Sequence, residues 1–185
     1  METDFFKESP ETQPENQGLW KTSVIYGLYY ALISIALTVV FYATGNMAST
    51  ASQWLGVIVM IAAIVIIQIA YRKSLGGWMT YGQGLSIGLV SMVCASVIIA
   101  IFTFVLYKFI DPDLINQIRM MTEEKLYQQG MADDQISTTL AFTEKFQTPA
   151  IISVMVIVNL AFMGLIISAI TAIFTKKQAP GPIFT

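Results

Sequence analysis

The side chains able to do chemistry are few, and uncharged where charge would matter most. Asn159 stands near the middle of residues 146–175, a run of 30 without Asp, Glu, Lys or Arg. An amide at that depth either lines a substrate path or bonds a neighbouring helix. The second role is expected here, worth on average about 0.6 kcal/mol. Gln68 lies one helical turn before Arg72 and reads as interfacial. Elsewhere, Asp111, Asp113, Glu123, Glu124, Asp133 and Asp134 invite a metal reading. The calcium-loop pattern fails, because Asp111-Pro112-Asp113 is followed by Leu114 and Ile115 with no glycine turn. Helix caps and a solvated face are expected instead.

Residues 75–84 form the most glycine-dense stretch, with Gly76, Gly77, Gly82 and Gly84. A phosphate site there would need a preceding strand and either the dinucleotide fingerprint or a Gly-Lys-Ser/Thr ending. The stretch reads as a flexible turn with an interfacial anchor, the alternative being a short re-entrant piece. Histidine is absent and cysteine occurs once, at Cys94. That removes His-ligated zinc and haem, the Ser-His-Asp triad and any intramolecular disulfide. No catalytic residue, cofactor or metal site is therefore expected, and Cys94 reads as a small buried apolar side chain.

The elements that would position these residues follow from where charge is missing. Of the 185 residues 55% are hydrophobic and 12% charged, about half the charge of a typical soluble domain. No charged residue occurs in 22–71, 74–107 or 146–175, runs of 50, 34 and 30 residues. A membrane-spanning helix takes roughly 20 apolar residues, so the first run holds two spans and the others one each. The expected fold is all-α: an integral membrane four-helix bundle with spans near 22–43, 53–71, 84–108 and 150–174. Residues 1–19 read as a disordered cytoplasmic tail and 178–185 as a C-terminal tail. The acidic, polar N-terminus followed by a long apolar run does not read as a cleaved signal peptide. Trp20, Tyr42, Trp54, Tyr71, Trp78, Tyr81 and Tyr107 fall near span ends, as an aromatic belt does.

Lys21, Arg72, Lys73, Lys176 and Lys177 flank one side of the spans, and Lys108 and Lys145 the other. Five against two predicts, by the positive-inside rule, cytoplasmic termini and an extracytoplasmic segment 111–148. That segment carries seven acids against Arg119, Lys125 and Lys145, so no nucleic-acid partner is expected. It reads as an αα-hairpin between the third and fourth spans. Asp111 is expected to N-cap its first helix with Pro112 at the first helical position, and Gly130 with Met131 to close it in a Schellman motif. A second helix begins near Asp133. The hairpin is too small for a core of its own, so it should fold back on the spans or dock on a partner.

Gly84 and Gly88, and Gly164 with Ser168 and Ala172, are small-xxx-small patterns that permit close helix approach, within the chain or between copies. With Tyr107-Lys108-Phe109-Ile110-Asp111-Pro112-Asp113, Gln129-Gly130-Met131, Tyr81-Gly82-Gln83 and Gly164-Leu165-Ile166-Ile167-Ser168, the order and spacing resemble a bacterial membrane family, domain of unknown function 4199. Ala132 departs from the Ser expected there, leaving Asp133 to cap. The resemblance implies four helices and a bacterial inner (cytoplasmic) membrane, and brings no catalytic residue. The expected function is a non-enzymatic inner-membrane component, structural or partner-binding. Its partners would be the lipid bilayer and, through the hairpin, a membrane protein or a second copy. The alternative is a small transporter or channel for an uncharged solute, which a water-filled cavity reaching Asn159 would favour. A membrane-embedded enzyme would instead need Asp111, Asp113 and Glu144 to converge.

Overall fold

Hydroxyl side chains at loop ends start three of the long helices. The Ser49 side chain accepts from the Ser52 N–H at 3.1 Å, and the Thr148 hydroxyl from the Ile151 N–H at 3.4 Å. Thr80 and Gln83 form a capping box: Thr80 Oγ1 accepts the Gln83 N–H (3.3 Å) and Gln83 Oε1 accepts the Thr80 N–H (2.9 Å). The computed structural model describes residues 13–47 and 49–177. Its order is α1 (Gln13–Ala43), α2 (Thr50–Ser74), α3 (Tyr81–Val105) prolonged by a π-helical turn (Leu106–Ile110), α4 (Leu114–Gln128), α5 (Asp133–Glu144) and α6 (Pro149–Thr175).

Among the described residues, four helices are long and apolar enough to cross a membrane: Gly18–Ala43, Thr50–Ser74, Tyr81–Ile110 and Pro149–Thr175. This is the architecture of a multi-pass membrane protein, with each expected span extended by a few residues. The expected tails at 1–12 and 178–185 lie outside the described residues. Within the stretch 1–19 expected to be disordered, helix begins at Gln13; Pro14 is compatible with a first turn, where its missing N–H has no partner to lose. α3 packs on both α1 and α6, while α2 lies against α6, α1 and α3. The core is Tyr30 and Ala31 from α1, Met60, Ile64, Ile67 and Tyr71 from α2, and Ile87, Met92 and Ala95 from α3. Tyr71, expected in the aromatic belt, is 1% exposed.

The hairpin forms as a pair of packed helices, with Ile136 and Leu140 buried. α4 ends as expected: Gly130 has φ 77°, its N–H reaches Tyr127 O (3.0 Å), and the Met131 N–H reaches Leu126 O (3.3 Å). Its start differs. Asp111 does not cap α4; its N–H bonds Leu106 O across the π-turn and its carboxylate accepts the Tyr42 hydroxyl at 3.0 Å. The helix therefore begins two residues beyond Pro112, at Leu114. Asp133 is likewise inside α5, with Ala132 at the cap position and no side-chain bond there. Since Ala132 already has cap geometry (φ −71°, ψ 149°), Ala132→Ser is expected to stabilise α5 by about 1 kcal/mol. Slower hydrogen exchange of the α5 amides checks this; unchanged protection contradicts it.

Candidate functional site

Among the described residues, two polar places interrupt the apolar bundle. The first is a buried knot joining α2, α3 and α6. Gln68, fully buried, donates from Nε2 to Gly84 O (3.1 Å) and Ser168 O (3.2 Å), and its Oε1 accepts the Thr175 hydroxyl at 2.8 Å. Ser168 Oγ donates to Leu85 O at 3.2 Å. Gln68, expected to be interfacial from its nearness to Arg72, is buried between helices. One turn on, Arg72 Nη1 donates to Thr175 O at 3.0 Å, where a cation suits the negative end of α6.

Small residues make this knot possible. A Cβ added to Gly88 would overlap Ser168 Oγ. One on Gly84 would come within 3.1 Å of Ala172 Cβ, and one on Gly164 within 2.7 Å of Met92 Cβ. Gly84, Gly88, Gly164 and Ser168 therefore line the chain's own α3–α6 seam. Below it, the loop after α2 is not free: Met79 and Lys177 exchange backbone bonds of 2.8 and 2.9 Å, and the Lys177 ammonium lies 5.1 Å from the Trp78 ring centre. The glycine-dense stretch is a pinned turn leading directly into α3. Lys21, Lys73 and Lys176 are exposed near the same end of the bundle.

The second place is a cavity of about 540 Å³ in the other half of the bundle. α1 supplies Tyr30, Ser34 and Thr38, α2 supplies Gln53 and Gly56, α3 supplies Ile99, and α6 supplies Asn159. Asn159 is exposed and makes no hydrogen bond among the described residues, so it does not bond a neighbouring helix as expected. Helical phase explains this. At 100° per residue Asn159 lies about 140° from Gly164 and 180° from Ser168, turned away from the close-packed seam.

A family model described as protein of unknown function (DUF4199) matches residues 25–177. The chain belongs to this family. The matched segment runs from α1 to the lysine that bridges Met79, and so contains both polar places and the hairpin. No curated protein and no solved structure matches the chain.

Within the DUF4199 segment, the carboxylates do not converge. Glu144 pairs with Arg119 at 3.5 Å, Asp113 accepts from Asn116 at 2.9 Å, and Asp111 is held by Tyr42. Among the described residues, no three of His, Cys, Asp and Glu gather as a metal site would require. At the hairpin turn, the charge of Asp133, with burial and Glu123 adding to it, raises the Tyr127 phenol above its ordinary range. Sequence reading missed Gly27, where an added Cβ would lie 2.7 Å from Ser91 O. Its signal was present: Ser23, Gly27 and Ala31, all buried, are spaced by four along α1. The Ser23 and Ser91 hydroxyls are buried without a hydrogen-bond partner among the described residues, so small size is what this seam uses.

Proposed function

We propose that the chain is a non-enzymatic component of a bacterial inner membrane, with both termini cytoplasmic, that binds a membrane partner or a second copy through an extracytoplasmic hairpin. One observation carries this reading. With Ile136 and Leu140 already buried, α5 and the turn after it still expose Phe142 (65%) and Phe146 (41%), ring centres 5.2 Å apart. Met120, 61% exposed on α4, adds to the uncovered apolar surface. The five-to-two excess of basic residues supports the orientation. The absence of charge from the span interiors supports a binding rather than an ion-coupled role.

A single variant tests both parts: Phe142→Cys in a Cys94→Ser background, so that the new thiol is unique. A membrane-impermeant maleimide is expected to label it in intact spheroplasts, and a thiol-linked photocrosslinker there to capture a discrete protein or a dimer in native membranes. Labelling only after permeabilisation would reverse the orientation; lipid adducts on solitary monomer would defeat the docking role. A second reading, a small carrier for an uncharged solute, is favoured by the cavity that reaches Asn159.

A further inference from the structure

The cavity beside Asn159 has no part in the hairpin's role. We propose that it is a binding site for one uncharged, single-chain lipid that enters sideways from the bilayer. Its α1 lining runs from Tyr30 to Phe41, about 16 Å along the helix axis, so the occupant is elongated. The volume of about 540 Å³ suits a single small molecule. A partner helix, about 10–12 Å across with its side chains, would not fit.

The chemistry of the lining narrows the class. Among the described residues no charged side chain borders the cavity, so an ionised head would sit at membrane depth uncompensated. Most of the wall is apolar, as a hydrocarbon chain requires. Gln53 and Asn159 are exposed amides with no hydrogen bond among the described residues. Each offers a donor and an acceptor, which matches a hydroxyl, ester or amide head. Asn159 also borders a second hollow, on the flank of α6, with Ile152, Met155, Val158 and Phe162. Of these, Met155, Val158 and Phe162 are more than half exposed, so Asn159 marks where the interior cavity meets the lipid-facing surface. Beyond Met60 the buried Ile64, Ile67 and Gln68 close the bundle.

Gly56 provides the test, because it lines the cavity and a Cβ there meets nothing within 4 Å; a leucine at this position is expected to take up part of the cavity. The full-length protein in phosphatidylcholine nanodiscs is irradiated with a monoacylglycerol bearing a diazirine on its chain. Adducts are expected on the lining of α1, α2 and α6, saturable by unlabelled monoacylglycerol. Gly56→Leu should lower them at least tenfold while keeping the wild-type melting temperature. Asn159→Leu leaves the cavity open and should weaken competition by about tenfold, the loss of one good hydrogen bond. Three results would each overturn the site: adducts that never saturate, equal labelling in Gly56→Leu, or equal labelling of the same residues by a diazirine phosphatidylcholine.

Discussion

Gly88→Leu is expected to abolish the folded bundle, destabilising it by about 3 kcal/mol or more. Even a Cβ at Gly88 overlaps Ser168 Oγ, and it would lie 3.3 Å from Ile64 Cγ2. The two helices would have to separate, and overpacking of that kind costs about 1–3 kcal/mol, occasionally more. Separation also withdraws Ser168 from Leu85 O and from Gln68, so the hydrogen bonds at 3.2 Å on either side are lost with it. Lipid tails supply no hydrophobic drive to press the helices back together. Denaturant titration in mixed micelles reads the loss directly. Gly88→Ala gives a smaller drop, and Ser168→Gly in the same chain should restore most of it. A coupling of about 0.5–3 kcal/mol between the two positions is the mark of direct contact. Additive effects would mean that the seam does not run through this pair.

What could be read from the residues follows from what a bilayer demands. Lipid forbids charge in the spans, so gaps between charged residues located all four of the long apolar helices to within a few positions. Local stereochemistry was legible too: Gly130 and Met131 close α4 through the expected pair of backbone bonds. Sidedness within each helix was harder. A span apolar all round has no hydrophobic stripe pointing to its neighbours, so burial follows small-residue spacing instead. That spacing marked Gly84, Gly88, Gly164 and Ser168, and the same rule applied to Ser23, Gly27 and Ala31 would have marked the face of α1 that meets α3. Asn159 was misjudged because its depth was weighed without its phase relative to Gly164. Asp111 looked like a cap in isolation, but Tyr42, 69 residues away, takes its carboxylate. Such a long-range partner leaves no local signal.

Gln68→Leu separates a structural amide from an interfacial one. At a membrane surface the substitution would change stability by no more than about 0.5 kcal/mol, because water satisfies the amide and leucine is tolerated. In the knot it removes two bonds to backbone carbonyls and one from Thr175. At about 0.6 kcal/mol for each such bond inside a membrane protein, the expected loss is about 2 kcal/mol. It should not be larger, since the orphaned groups keep other partners: the Thr175 hydroxyl also donates to Thr171 O at 3.0 Å, the Ser168 carbonyl still accepts the Thr171 hydroxyl at 3.3 Å, and Gly84 O the Ser168 hydroxyl at 3.4 Å. Gln68→Ala loses the same bonds and leaves a void where a fully buried side chain stood, so it should cost about 1–2 kcal/mol more than leucine. Arg72→Ala removes one half-exposed bond to Thr175 O and should cost less than either. In one unfolding assay a knot centred on Gln68 requires Gln68→Ala to be the most destabilised, Gln68→Leu the next and Arg72→Ala the least. If Arg72→Ala proved the most damaging, α2 would be held to α6 by the charge at its end.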